Sequence, residues 1–345
     1  QRITENLSTR IYWLFTIFAM IVVLTGCSRN NKSPQPQTKH ITQVQTDKPV
    51  EIDLHKVRPN ELGNVLIFEY HDVSEKEARW SRNYNNFRAD LQKLYQSGYR
   101  PVSLRDFVKN NISIPAGTSP VVITFDDGTA GQFRYINDSG KLKVDPNCAV
   151  GILEDFHAKN PDWYLEATVY IYYPEPFRQP EHVGQKLQRI VDDGMDIGNH
   201  TYTHVNLKKL SSSDAMKEMA LSVKSAGKYV PNAVVDSIAL PYGLGPADEA
   251  VLRSGEYEGQ RYNNIAALLV GAEPARSPVD PKFNPYKLPR VQAIQSELDM
   301  WLGYFEKHPD KRYISDGDPN TITVPKALEG EIDQTRLSGK KLRTY

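Results

Sequence analysis

The sequence predicts an α/β fold, a distorted (β/α)7-type barrel in one domain, and three observations carry that prediction. Seven short runs rich in β-branched and aromatic residues recur from about position 64 onward, and stretches with helical apolar spacing separate them. Such alternation is the signature of a parallel sheet with helical crossovers. The length of 345 residues allows one large domain or two ordinary ones. The turn-rich stretch from Asn137 to Pro146 reads as an inserted loop rather than a domain break, so one domain is expected.

The strand candidates are Val65 to Tyr70, Arg100 to Ser103, Val121 to Phe125, Ala167 to Tyr172, Met195 to Asn199, Val234 to Leu240 and Ile265 to Val270. Each is short, apolar and bounded by polar or turn-forming residues, as a strand buried on both faces requires. Helices are expected over Asn86 to Gln96, where Phe87, Leu91, Leu94 and Tyr95 share a face, and over Ala149 to Ala158. Two more are expected over Val183 to Asp193 and over Ser211 to Lys228, the latter from Met216, Met219, Ala220 and Val223. The polar stretch from Asn137 to Pro146 reads as an inserted loop. A last helix is expected over Trp301 to His308, after which residues 309–345 read as a polar tail with one weak strand, Thr321 to Val324.

The start of the chain has a different character. Arg2 and Arg10 precede the apolar run Ile11 to Leu24, which is short for a membrane span but suits a signal-peptide core. The run ends in Leu24-Thr25-Gly26-Cys27, which resembles the lipobox of bacterial lipoproteins. That resemblance implies removal of residues 1–26, lipidation of Cys27 and a membrane-anchored protein outside the cytoplasm. Residues 27–60 are expected to form a disordered tether, polar and without apolar spacing, leaving 61–308 as the barrel. The other cysteine, Cys148, reads as a small core residue at a helix start. With 42 basic and 42 acidic residues the chain has no excess charge for a nucleic acid, and two cysteines are too few for a Cys-rich zinc module. A monomer with any metal held by His and carboxylate is the expectation.

In a parallel barrel, site residues stand just after strands, at the carboxyl ends. Two motifs do so. The third strand runs into Asp126-Asp127-Gly128, two carboxylates that project in different directions, so that one can hold a metal while the other moves a proton. The fifth runs into His200-Thr201-Tyr202-Thr203-His204, and two histidines four apart share one face if a helical turn begins there. Two imidazoles and one carboxylate also serve non-haem iron oxygenases, though no other feature of the sequence supports oxidation chemistry.

Together Thr124-Phe125-Asp126-Asp127-Gly128 and His200-Thr201-Tyr202-Thr203-His204, with Pro241-Tyr242-Gly243 beyond, resemble the NodB-homology polysaccharide deacetylases, carbohydrate esterase family 4. The resemblance extends from Asn64 to Gln292. It implies a hydrolase that removes acetyl groups from an N-acetylglucosamine-containing polysaccharide. It assigns Asp126 as the catalytic base, Asp127, His200 and His204 as ligands of a divalent metal (zinc first, cobalt or nickel also possible), and the Tyr242 amide as the oxyanion donor. Two departures stand out. Ala239 occupies the place of the family's arginine that steadies the base, and Arg290 is the candidate substitute. No His-Asp pair follows Tyr242, whereas Tyr70-His71-Asp72 ends the first strand; this resembles the circularly permuted branch that includes poly-N-acetylglucosamine deacetylases, and implies that His71 is the acid. Glu69, on the same side of that strand, stands where the family has an apolar residue. Because of Ala239, the alternative is a weakly active or inactive glycan-binding surface lipoprotein of the same fold.

Overall fold

Eight short strands, every neighbouring pair parallel, form the centre of the molecule: β1 (Leu66–Tyr70), β2 (Tyr99–Pro101), β3 (Ser119–Phe125), β4 (Thr168–Ile171), β5 (Asp196–Asn199), β6 (Ser237–Ala239), β7 (Ala266–Leu268) and β8 (Val291–Gln292). The computed structural model describes residues 52–345. The apolar run before Cys27, Cys27 itself and the first part of the expected tether lie outside the described residues. The sheet order is β7-β6-β5-β4-β3-β1-β8, with β2 pairing the lower half of β3. At its free edges, Leu268 bridges Leu288, and the Leu269 amide donates to the Leu288 carbonyl at 2.8 Å. The ring is therefore all but closed, in agreement with the barrel expected.

Every residue of β1 and of β3 is buried, and the period-two alternation sorts them into two cores. Leu66, Phe68, Tyr70, Val121, Ile123 and Phe125 face outward beneath the helices. Ile67, Val122, Tyr170, Ala239 and Leu268 fill the interior. Glu69 and Thr124 share the parity of Ile67 and Val122, so near its carboxyl end the barrel is filled by polar side chains. The covering helices are α1 (Tyr84–Gln96), α2 (Ala149–Lys159), α3 (Val183–Asp192), α4 (Ser212–Tyr229) and α5 (Gln295–Lys307). Cys148 caps α2 fully buried, and its thiol is pushed up by burial, as suits a core residue. Among the described residues no helix is long and apolar enough to cross a membrane.

Three segments differ from expectation. The stretch read as a loop from 137 to 146 is largely a hairpin, Tyr135–Asp138 against Lys141–Val144, whose exposed faces hide the strand signal. Residues 52–60, expected as tether, include a helical turn over Leu54–Val57 and a bridge from Asn60 to Ile314. The stretch 309–345 is no loose tail. Thr321–Val324 pairs in parallel with Lys341–Thr344, and Ile322 and Val324 pack with Val279 and Ile332. Sparse apolar residues in a polar context suffice because Val279 and Leu62, from earlier in the chain, complete a small separate core with them.

Glu61 clips that unit to the barrel. It is buried and accepts from the Thr323 amide at 2.7 Å and the Asp316 amide at 3.3 Å. Burial first and the Asp316 charge second push its carboxyl up to about 8. The folded protein thus holds a proton there that the unfolded chain releases near the ordinary value of about 4.5. Stability conferred by Glu61 falls as pH rises toward 8, by roughly tenfold in the folding equilibrium per pH unit mid-window. Glu61→Gln should remove that slope, so urea midpoints at pH 6 and pH 9 should lie closer together in the variant than in the parent.

Candidate active site

Side chains from five strand ends converge at the carboxyl face. His71 follows β1, Asp126 and Asp127 follow β3, His200 and His204 follow β5, Tyr242 follows β6, and Arg290 directly precedes β8. Oδ1 of Asp127 lies 3.2 Å from Nε2 of His200 and 3.2 Å from Nε2 of His204. His200 is buried, and its Nδ1 sits 2.7 Å from the Ala239 carbonyl, which makes Nδ1 the protonated nitrogen and leaves the Nε2 lone pair for a ligand. This carbonyl brace and the three converging donor atoms fit a divalent cation of the kind that imidazole and carboxylate bind. Burial works to raise the Asp127 carboxyl, yet the two imidazoles beside it hold it far below the carboxylate range.

The two histidines are not on a helical turn as expected. Thr201 and His204 both adopt left-handed backbone, with φ of 61° and 58°, and this breaks any helix between them. Asp127 (φ 79°) and Tyr242 (φ 61°) do the same. Four non-glycine residues in this region around one centre carry strain on the order of 1 kcal/mol each, which only a firm surround sustains. Part of that surround is Glu218 of α4, which accepts from the amides of Tyr202 at 3.0 Å and Thr203 at 2.9 Å. Asn199 adds a bond from the Thr201 amide at 2.9 Å and is itself anchored to the Met219 carbonyl. Sequence reasoning missed both, since neither belongs to a motif.

Arg290, fully buried, meets Asp126 in a two-pronged ion pair, Nη1 to Oδ1 at 2.8 Å and Nη2 to Oδ2 at 2.7 Å. Its Nε donates to the Leu269 carbonyl at 2.7 Å, and Nη1 also donates to Thr124 Oγ1 at 3.0 Å. Burial acts to raise the Asp126 carboxyl, but the Arg290 charge and its paired hydrogen bonds outweigh it and keep the group ionised. Gln132, also unforeseen, donates to the carbonyls of both His71 and Asp126 and so ties the two strand ends together. Glu69 does not face solvent: it is buried beside Arg290 and His71.

Aromatic rings border the centre. Trp80, 43% exposed, packs on His71 with centroids 4.6 Å apart, and Tyr242, 62% exposed, packs on His204 at 5.1 Å. Tyr172 covers another side of His204 at 5.2 Å. A groove of about 520 Å³ continues outward from His204 and Tyr242 past Val205, Asn206, Lys209 and Leu210. Tyr70 is unavailable to a ligand, since it is buried with its hydroxyl on Asp90, and Tyr202 stacks on Tyr173.

Residues 114–260 match the family model described as polysaccharide deacetylase. The matched segment holds the Asp126–Asp127 and His200–His204 motifs and Tyr242, whereas His71 and Arg290 lie outside it. A chitooligosaccharide deacetylase of Bradyrhizobium sp. (strain ANU 289) is 24% identical over 141 residues, 41% of this chain and 54% of that protein. The chain thus spans about half the length of that curated relative. Among solved structures, the Streptococcus pyogenes deacetylase PplD, in complex with acetate, aligns with a TM-score of 0.52 at 18% identity, covering 70% of this chain and 97% of that one. IcaB from Ammonifex degensii aligns with a TM-score of 0.51 at 17% identity, again covering 70% and 97%. These likenesses establish the shared barrel fold. Over residues 114–260 the chain is similar to the polysaccharide deacetylases.

Proposed function

We propose that this protein is a metal-dependent hydrolase that removes acetyl groups from an N-acetylglucosamine-containing polysaccharide at the cell envelope. The observation that carries the proposal is one centre in which an ionised, arginine-held carboxylate, Asp126, adjoins three converging ligand atoms on Asp127, His200 and His204. The amino-sugar substrate class draws on the chitooligosaccharide deacetylase that the chain resembles. A lipidated Cys27 would hold the protein at the bacterial cell surface.

A divalent ion on Asp127, His200 and His204, zinc in our reading, supplies Lewis acidity toward the acetamide carbonyl and the attacking water. Asp126 takes the proton of that water, a role that suits a carboxylate kept ionised by Arg290. The Tyr242 amide donates to the carbonyl oxygen as it gains negative charge. His71 protonates the departing nitrogen, because an amide nitrogen does not leave as an anion. The products are acetate and a glucosamine unit. Having the acid on β1, ahead of the base in the chain, corresponds to a circularly permuted order, and the position of β1 between β3 and β8 is compatible with it. The reading of a mere glycan binder rested on Ala239 standing in place of an arginine; Arg290 on Asp126 favours turnover instead.

The zinc-loaded chain should release acetate from N-acetylglucosamine oligomers, lose that activity to a chelator and regain it with zinc. Asp126→Asn should lower kcat by about 10²–10⁴. Bound zinc and bound oligomer without acetate release would leave only the glycan-binding reading.

A further inference from the structure

The amino end of the barrel carries a cavity of about 860 Å³ that no step above uses. Its volume lies within the range of sites that hold small organic ligands, about 300–1,000 Å³. One wall is formed by residues 57–64, directly ahead of β1, and another by the folded stretch 309–345. Main-chain bonds join the two. The Asn60 amide donates to the Ile314 carbonyl at 2.9 Å, and the Tyr313 amide donates to the Asn64 carbonyl at 3.0 Å. A Cβ on Gly63 would lie 2.2 Å from the Arg312 carbonyl carbon, so only glycine lets the segments approach this closely. The parallel strands set the distance from Asp126. That residue follows the carboxyl end of β3, whose seven residues span roughly 20 Å at about 3.3 Å each. The cavity is therefore separate from the centre at the carboxyl face.

The lining selects a kind of molecule. Arg58, Arg276 and Lys311 stand with Asp280, Asp310 and Glu331, three charges of each sign, and four of these six are paired, Arg276 with Asp280 at 3.0 Å and Lys311 with Asp310 at 3.4 Å. Such a balance favours a ligand without net charge. Leu62, Leu328 and the ring of Tyr345, whose hydroxyl donates to the Pro59 carbonyl at 3.1 Å, add apolar surface. Asn60 is 4% exposed; its Nδ2 donates to the Asp310 carbonyl at 2.8 Å, but its Oδ1 is buried with no hydrogen-bond partner among the described residues. Asn64 and Arg276 also line an adjoining hollow of about 240 Å³, and there the Nε1 of Trp301 is likewise buried and unpartnered among the described residues. Buried polar atoms are normally paired, so an unpaired acceptor and an unpaired donor in adjoining spaces point to a ligand that supplies both partners. An uncharged sugar chain does so. Its hydroxyls donate and accept, its ring faces are apolar, and it brings no charge to upset the balance. We infer that this cleft is a second glycan-binding site, one that takes an uncharged oligosaccharide at the end of the barrel opposite Asp126. Holding a distant stretch of a polymer there raises the effective concentration of the rest of that polymer at the carboxyl face.

The test is amide hydrogen exchange, read by mass spectrometry, on the zinc-loaded full chain carrying Asp126→Asn, which keeps an N-acetylglucosamine hexamer intact. With hexamer at roughly ten times its Kd, exchange in residues 57–64 and 309–314 should slow about tenfold. Leu328→Trp, which fills the cavity, should abolish that slowing. Glu331→Trp, at an exposed position of the same wall, should do so as well, and it serves if the first variant fails to fold. Neither position belongs to the carboxyl-face centre. With Asp126 restored, both variants should therefore keep the parent's kcat and its KM for a trimer, while KM for a long polymer rises several-fold. Exchange in residues 57–64 that hexamer leaves unchanged, the result expected if a segment of the chain itself fills the cavity, overturns the inference. So does slowing that persists in both variants. The exchange needs no turnover, so slowing at the amino end in a protein whose parent releases no acetate would count against the deacetylase reading alone.

Discussion

Arg290→Met should lower the stability of this protein by about 3–5 kcal/mol, the loss seen when one member of a buried ion pair is removed, and should abolish acetate release. The guanidinium is fully buried and serves four groups at once: both oxygens of Asp126, Thr124 Oγ1, the Leu269 carbonyl and, at 3.5 Å, Glu69. Methionine fills similar space but leaves two carboxylates in the barrel interior without a cation. Asp126 would then relieve the loss by taking up a proton, and a protonated Asp126 cannot accept one from water. Arg290→Lys should recover part of the stability and little of the activity. A lysine keeps the charge, but its ammonium cannot grip both oxygens in the plane of the carboxylate. Urea unfolding followed by circular dichroism, with zinc present, checks the first number. A loss below about 1 kcal/mol would mean that the pair contributes no more than a surface ion pair.

His71→Ala should reduce kcat by about 10²–10⁴, the usual contribution of a positioned general acid, while zinc affinity stays within a few-fold of the parent. The separation is expected because His71 lies outside the Asp127–His200–His204 ligand set and approaches Glu69 instead. Loss of its ring also removes the surface on which Trp80 packs, so KM should rise modestly. Acetate release and a zinc titration on the same preparation measure both effects. An unchanged kcat would show that the amine takes its proton from elsewhere. His308, the only histidine later than Tyr242, is a poor alternative, exposed at the end of α5 against the ring of Tyr304. A fall in zinc affinity equal to the fall in kcat would mean that His71 shapes the metal centre itself.

The barrel was legible in the sequence because its strands are buried on both faces, so β1 and β3 read as unbroken apolar runs. Asp126, Asp127, His200 and His204 were legible for a related reason. Short motifs directly after such runs fall at the one face of a parallel barrel where strand ends converge. The hairpin from 135 to 144 and the folded stretch 309–345 were not legible, because Tyr135 and Val144 of the first gain burial only against the barrel's outer core and the few apolar residues of the second are completed by the distant Val279 and Leu62.

By itself the sequence determined the barrel's main strands and covering helices, the face at which their carboxyl ends meet and four side chains that stand there. Only the tertiary structure decided how those side chains are held and charged. The left-handed turn at Thr201, the Glu218 brace under Tyr202 and Thr203, and the burial of Glu69 leave no local signal, since each depends on which segment packs above it. Arg290 is the clearest case. It stands 164 positions from Asp126, and an arginine in Leu288-Pro289-Arg290-Val291 reads equally as a surface residue. Barrel closure next to β1 brings its guanidinium inside, where low dielectric turns an unremarkable cation into the counter-charge on which the ionised Asp126 carboxylate depends.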